Sequence, residues 1–180
     1  VKDAEIVTKK SVKLERLLNE LENNLKDRKV LVFSQFNSML NIVSDELRTK
    51  GISHFHLSGK TPVEKRAEMI TEFQDKSSKQ RVFLLSLKAG NAGITLTAAD
   101  YVFLLDPWWN TAVEQQAIDR THRIGQDKQV FAYKMICKNS IEEKIIQLQA
   151  KKQILSEELI KEEEGFVKQL TEEDLAFLLS

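Results

Sequence analysis

The chain has 180 residues, of which 42% are hydrophobic and 30% charged, which fits one domain with a buried core and some appended helix. Its 27 basic and 27 acidic residues balance, which excludes the uniformly basic surface of a simple nucleic-acid-binding module. It has no apolar run approaching the roughly 20 residues of a membrane span and no apolar N-terminal stretch typical of a secretory signal. The single cysteine, Cys137, excludes an internal disulfide and suits a reducing compartment. We therefore expect an intracellular protein, and the first residue, Val1, leads us to expect a piece cut from a longer chain.

The balance of charge hides an uneven distribution. Residues 141–180 contain an acidic run made up of Glu157, Glu158, Glu162, Glu163, Glu164, Glu172, Glu173 and Asp174. Without this run the body of the chain is modestly basic. Any contact with a nucleic acid is therefore expected to be local and not to involve the whole surface.

The first half of the chain alternates helical and strand patterns. Leucines at helical spacing over 14–25 predict a helix, and the unbroken apolar run 30–33 (VLVF) predicts a buried strand. Apolar residues over 39–47 predict a second helix, which Gly51 ends in the left-handed conformation. A short strand that includes residues 55–57 follows.

The alternation continues in the second half. Thr61 is predicted to cap the next helix, with Pro62 in its first turn and Glu64 completing a capping box. Further segments, in order, are a strand over 82–85, a strand over 101–105, a helix from about 111 to 122 and a strand around 130–136. Apolar strands alternating with helices predict an α/β fold, with a doubly wound, mostly parallel sheet and helices on both faces. Ligands of such sheets bind at the carboxyl ends of the strands.

The character of the sequence changes at Ser140. Ser140 and Glu143 form a second predicted capping box, at the start of a long charged helix with one apolar stripe. Residues 171–179 predict a further short helix. We divide the chain into a lobe over 1–139 and an extension over 140–180. The extension is either a brace, packed on the core or reaching to a missing partner, or a solvated helix.

Two arginines near the end of the 111–122 helix carry the strongest chemical signal. Gln116, Arg120 and Arg123 are spaced four and three residues apart and share one helix face. Arginines one turn apart suit a polyphosphate clamp, because each guanidinium has a fixed charge and a planar fork of donors. Against a γ-phosphoryl group they would stabilise the charge of the transition state. The alternative is surface arginines paired with Asp119 and Glu114.

The segment 119–126 (DRTHRIGQ) resembles motif VI of the Swi/Snf-type branch of helicase superfamily two. Other segments are similar to further motifs of that family in the same order: 30–36 (VLVFSQF), 56–61 (HLSGKT) with Arg66, 86–100 (SLKAGNAGITLTAAD), 106–110 (DPWWN) and 141–145 (IEEKI). The resemblance covers nearly the whole chain. It implies the second RecA-like motor lobe of an ATPase that is stimulated by double-stranded DNA, followed by brace helices.

The resemblance also implies how ATP is used. Arg120 and Arg123 would be the catalytic arginines, and Gly93 and Gln116 would join them in contacting ATP. The phosphate-binding loop and the acidic motif that holds most of the Mg²⁺ belong to the first lobe of such proteins. Neither motif occurs here, since 58–61 (SGKT) has only the tail of the loop pattern. We therefore expect no ATP hydrolysis by this chain alone.

The same resemblance implies a DNA track. Residues at predicted strand ends and loops that would hold one DNA strand by its phosphates are Ser34, Gln35, Ser58, Gly59, Lys60, Lys88, Asn91 and Thr95. Trp109 either lines a groove at the DNA or packs in the core with Trp108. Asp106 either caps the next helix or orients its neighbours. The implied partners are the N-terminal RecA-like lobe, double-stranded DNA and DNA-bound proteins, with no membrane.

The sequence departs from the family pattern at Thr111, Thr121 and Asn91, where a proline, an alanine and a second glycine are usual. Only the change at Asn91 puts loop contacts in question. Two other functions stay open: a lobe of an RNA helicase, and a non-catalytic docking module. His54 and His56 alternate with Phe55 on a strand and are expected to be structural.

Overall fold

The computed structural model describes residues 11–86, 94–108, 111–119, 129–155 and 170–179. Its helices are α1 (Val12–Asn19, continued by a π-helical turn over Glu20–Asn24), α2 (Asn37–Thr49), α3 (Val63–Gln74), α4 (Thr111–Asp119), α5 (Ile141–Leu155) and α6 (Glu172–Leu179). Its strands are β1 (Val30–Ser34), β2 (His54–Leu57), β3 (Val82–Ser86), β4 (Tyr101–Leu104) and β5 (Phe131–Lys134). None of the described helices is long and apolar enough to cross a membrane.

The strands form one sheet in the order β2-β3-β1-β4-β5, and every pairing is parallel. From β1 the chain moves to one side to build β2 and β3, and then crosses to the other side to build β4 and β5. The connections after β1 and β4 therefore run in opposite directions, which opens a crevice between the carboxyl ends of these two strands. The predicted α/β fold is confirmed.

Helices cover both faces of the sheet because the central strands are apolar on both sides. Leu31 and Phe33 pack with residues of α3 and with Ala117 of α4 in one core. Val30 and Val32, which point to the other face, pack with residues of α1 and α2 in a second core. The carboxyl ends of the strands are thus held at fixed relative positions by two buried layers.

Helix α2 ends as predicted at Gly51, which has a φ of 66°. The Gly51 N–H donates to the carbonyl of Arg48 at 3.0 Å, and the Ile52 N–H donates to that of Leu47 at 2.8 Å. This pair of bonds is the Schellman arrangement, and the buried side chains of Ile52 and Leu47 close it with an apolar contact.

Replacing Gly51 with alanine is expected to lower the free energy of unfolding by about 1 kcal/mol, because an added Cβ disfavours a left-handed backbone. The loss is purely conformational, since nothing lies within 4 Å of that Cβ. Gly59→Ala is the matched control, because its added Cβ is equally free and its φ is not positive. Urea denaturation measures both, and equal losses at the two positions would contradict the explanation.

The predicted capping box at α3 is wrong. The helix begins at Val63, and Pro62, with a ψ of 150°, precedes it as the capping residue without a side-chain bond. Thr61 then lies one residue too early, and its Oγ1 accepts instead from the Ser58 N–H at 3.1 Å. At α5 the box forms but is displaced by one residue: Ser140 Oγ accepts from the Glu142 N–H, and Glu143 accepts from the Asn139 N–H.

Strand β5 departs from the prediction that every strand is apolar and buried. Its four residues are all exposed, because β5 is an edge strand. Phe131 and Tyr133 stack on Tyr101 and Phe103 of β4, with ring centroids 5.2 and 5.1 Å apart. The neighbouring helix α4 is described to Asp119, so the predicted end of that helix at His122 lies outside the described residues.

Helix α5 does not stand alone in solvent. Its Ile145 and Leu148 are buried against Leu178 of α6. Near its start, Glu142 accepts from Lys13 of α1 at 2.5 Å, and the same ammonium group donates to the Leu105 carbonyl at 2.6 Å. The described part of this helix is therefore attached to the body by polar contacts and to α6 by apolar ones.

Candidate functional site

Asp106 joins the carboxyl ends of β1 and β4, at the crevice of the sheet. One carboxylate oxygen, Oδ2, accepts from Ser34 Oγ at 2.5 Å and from the Gln35 N–H at 3.0 Å. The Gln35 side chain donates in turn to the Pro107 carbonyl at 3.4 Å. Asp106 therefore orients its neighbours, as one of the two sequence-based interpretations held. Ser34 is fully buried, so it supports the loop from inside the protein, whereas Gln35 is partly exposed.

A second ordered loop follows β2. The Ser58 N–H donates to Thr61 Oγ1, and the Lys60 N–H donates to Ser58 Oγ at 3.3 Å. Arg66 of α3 donates to the carbonyls of Thr61 at 2.7 Å and Gly59 at 3.2 Å. Gly59 and Lys60 are exposed at the tip of this braced loop. The loop therefore presents the ammonium group of Lys60 on a backbone that is already ordered, so binding a ligand costs little conformational entropy.

Both backbone polar groups of Trp108 bond to side chains. Its N–H donates to Glu114 Oε1 at 2.8 Å, and its carbonyl accepts from the side chain of Gln149. Glu114 belongs to α4, is buried, and forms an ion pair with Lys134 of β5. Helix α5 thus contacts, through Gln149, the segment that leads from β4 into α4.

Sequence reasoning missed the roles of Glu114, Lys134 and Gln149. Glu114 contacts Trp108 and Lys134. Because Arg120 and Arg123 lie outside the described residues, the alternative that surface arginines pair with Glu114 or Asp119 stays untested. The available signal for Glu114 was its spacing of three residues from the buried Ala117, which places both on the inner face of α4. Nothing in the sequence marks Gln149, whose contact depends on how α5 folds back.

The remaining predicted site residues fall into two groups. Gln116 is exposed on α4, and the half-buried Thr95 accepts through its carbonyl from Gln74 at 3.3 Å, at the end of α3. Thr95 is therefore positioned by α3 and not by the Asp106 contacts. The predicted residues that lie outside the described ones are Lys88, Asn91, Gly93, Trp109, Arg120 and Arg123. Over the described ranges, no group of three His, Cys, Asp or Glu side chains is arranged to hold a metal ion.

Comparison with known proteins places the fold in a family. A family model described as helicase conserved C-terminal domain matches residues 12–125. The crystal structure of the C-terminal part of the Fun30 ATPase domain matches with a TM-score of 0.67 and 41% identity, over 75% of this chain and 43% of that chain.

Curated relatives agree with this assignment. The chain is 44% identical to the DNA repair protein RAD5 of Cryptococcus neoformans, over 81% of this chain and 12% of that protein. It is 43% identical to a putative SWI/SNF-related regulator of chromatin, subfamily A member 3-like 1, of Arabidopsis thaliana, over 99% of this chain and 21% of that protein. It is also 43% identical to the ATP-dependent helicase rhp16 of Schizosaccharomyces pombe, over 94% of this chain and 20% of that protein.

The chain thus spans 12% to 21% of the length of these relatives. The family model matches well over half of its residues, and the matched range includes β1 to β4 and the loops at their carboxyl ends. The chain belongs to the helicase conserved C-terminal domain family and is a C-terminal RecA-like lobe of the Swi/Snf type.

Proposed function

We propose that this lobe works as the second half of an ATP-driven motor that moves along double-stranded DNA and remodels the proteins bound to it. The observation that carries the proposal is the pair of ordered loops, Ser34–Gln35 held by Asp106 and Ser58–Lys60 held by Arg66, at the carboxyl edge of the sheet. Parallel α/β sheets bind their ligands at that edge. The names of the relatives, a DNA repair protein and a chromatin regulator, support DNA as the polymer and a DNA-associated location inside the cell.

The DNA contacts in this proposal are made to phosphates. Lys60 offers an ammonium group, and the Gly59 backbone can approach a phosphate closely because it has no side chain. Contacts of this kind give affinity without reading the base sequence, which suits a motor that must pass over any sequence. The residues proposed for the track are Gln35, Ser58, Gly59, Lys60, Lys88, Asn91, Thr95 and Trp109. Ser34, which was also predicted to hold DNA, is fully buried and donates to Asp106, so it supports Gln35 and does not itself contact a phosphate.

The ATP contacts are proposed for the helix that follows β4. Arg120 and Arg123 would act as catalytic arginines, with Gln116 and Gly93 beside the nucleotide. Gln116 is exposed on α4, and the start of α4 is fixed by the bond between Glu114 and Trp108. ATP supplies the γ-phosphoryl group whose transfer to water drives the cycle, with Mg²⁺ held mainly by the first lobe.

The proposal needs a partner lobe. We propose that residues 1–139 form the motor lobe proper and that 140–180 act as a brace. The N-terminal RecA-like lobe of the same protein would provide the phosphate-binding loop. Closure of the two lobes would bring the arginines onto the phosphates, and this lobe alone would not hydrolyse ATP.

ATP turnover by the full-length protein, measured with duplex DNA, with RNA and with no nucleic acid, tests the proposal. We expect strong stimulation by duplex DNA, little by RNA, and no turnover by the isolated lobe. Stimulation by RNA alone would indicate an RNA helicase lobe. Turnover indifferent to both polymers would indicate a docking module.

A further inference from the structure

A groove of about 790 Å³ runs along the free edge of the sheet, beside β2. β2 is the outermost of the described strands and pairs among them only with β3, so the groove lies between the edge strand and the helices α2 and α3. At one end it reaches Ser58 and Lys60, in the loop proposed to hold DNA, and at the other it reaches Gly51. The groove is therefore continuous with the proposed DNA track but extends beyond it.

The charge of the groove has one sign. Arg48 of α2, Lys60 of the loop and Lys65 of α3 line it, and no Asp or Glu stands among the described lining residues. Arg48 has one ion pair, with Asp45 at 2.8 Å, and both side chains are largely exposed. Such surface pairs contribute little, so the guanidinium group can exchange this partner for another anion.

Two histidines, His54 and His56, also line the groove. His54 Nδ1 donates to the Ile52 carbonyl at 2.9 Å, and its Nε2 shares a hydrogen bond with Ser44 Oγ at 2.8 Å. Both ring nitrogens of His54 therefore bond to the protein, which fits the prediction that this residue is structural. Burial, followed by the nearby His54 and Arg48, lowers the pKa of His56, which is therefore neutral at pH 7.

We propose that this groove is a second phosphate-binding surface for duplex DNA, in which Arg48 and Lys65 extend the contacts made by the Ser58–Lys60 loop. The proposal rests on the proposed function. Four residues of β2 span about 13 Å, which matches the axial rise of about four nucleotides of one strand. The groove therefore has room for more than one phosphate.

The placement of the cations favours DNA over an acidic peptide. An acidic peptide that added to the edge of the sheet would pair with the backbone of His54–Leu57. Cationic side chains to neutralise it would then be expected on that strand. Here the three cations lie on two helices and a loop around the groove, and none lies on β2. That arrangement suits a polyanion lying across the groove, in line with the loop that already faces DNA.

The test is the salt dependence of duplex-DNA binding by the full-length protein. For the double variant Arg48→Ala, Lys65→Ala, the slope of log K against log salt is expected to become shallower by about 0.9 for each phosphate that is no longer neutralised, about 1.8 in total. Lys65→Arg in the Arg48→Ala background keeps one of the two charges and is expected to recover half of that change. Lys26→Ala, an exposed lysine in the loop before β1 that does not line the groove, is the matched control and should leave the slope unchanged.

The possible failures are distinguishable. A wild-type protein that does not bind duplex DNA would overturn the proposed function and this groove together. Normal wild-type binding with an unchanged slope in the folded double variant would overturn the groove alone. A polyglutamate probe that binds the wild type but not the double variant, while the DNA slope is unchanged, would assign the groove to an acidic peptide and contradict the proposal.

Discussion

Replacing Arg123 with alanine in the full-length protein is expected to lower DNA-stimulated ATP turnover by a factor of about 10³ or more. An arginine placed against the γ-phosphoryl group stabilises charge that grows in the transition state, so its loss lowers the rate at saturating ATP. Nucleotide binding should largely survive, because the phosphate-binding loop belongs to the other lobe. Steady-state turnover with saturating duplex DNA, together with a nucleotide-binding measurement, separates the two effects.

Two further variants sharpen this prediction. Arg123→Lys keeps the charge but lacks the planar fork of donors, and is expected to stay well below the wild-type rate. Arg16→Ala removes an exposed arginine whose partner is Glu20 one turn along α1, and should leave turnover unchanged. Wild-type turnover by a folded Arg123→Ala protein would return this residue to the alternative of a surface arginine paired with Asp119.

Replacing Glu114 with alanine is expected to lower the free energy of unfolding by about 1–3 kcal/mol, because it leaves the buried Trp108 N–H without its acceptor. Lys134 also loses its partner, but its side chain is 42% exposed and can return to water. The larger part of the loss in unfolding free energy therefore comes from the unpaired N–H of Trp108. Urea denaturation of the wild-type and variant chains measures it.

Glu114→Gln is the matched control for this position. It keeps a side-chain carbonyl oxygen that can accept from Trp108 and loses only the attraction to Lys134, so it should cost less than alanine. A glutamine variant as unstable as the alanine variant would show that the ion pair with Lys134, and not the bond to Trp108, is the main contribution.

The layout of the sheet was predictable because its central strands are apolar throughout. The runs 30–33 and 82–85 have no polar face, which requires cover on both sides and hence a parallel sheet with helices on each face. The same argument failed for strand β5, which was predicted to be buried and is exposed. An edge strand can expose aromatic side chains that stack on a neighbouring strand. Its exposure follows from its place in the strand order, which local sequence does not contain.

Helix starts were less predictable than the sheet. The pattern Thr61-Pro62-Val63-Glu64 satisfies the capping-box spacing, but Pro62 adopts an extended backbone and delays the helix by one residue. Ser140 and Glu143 have the same spacing without a proline between them. Ser140 accepts from an N–H in the first turn of α5, and Glu143 accepts from the N–H of Asn139, the residue before Ser140. A shift of one residue in the start of a helix therefore changes which hydroxyl group can accept from an N–H of its first turn.

The candidate site divides along similar lines. Short motifs located Gln35 and Lys60 because each follows a strand closely, and the carboxyl ends of parallel strands share one edge. The contacts that support these residues could not be predicted from the sequence. The bond from Gln149 to Trp108 joins residues 41 positions apart, and the one from Ser34 to Asp106 joins residues 72 positions apart. Such pairs depend on tertiary packing and leave no local pattern.

The most direct test of the motor is displacement of a third strand from a DNA triplex by the full-length protein. With ATP and a blunt duplex carrying the triplex, we expect the third strand to be released while the two duplex strands stay annealed. Release should stop in Arg123→Ala. Separation of the duplex strands, or ATP turnover stimulated by DNA without release of the third strand, would contradict movement along double-stranded DNA.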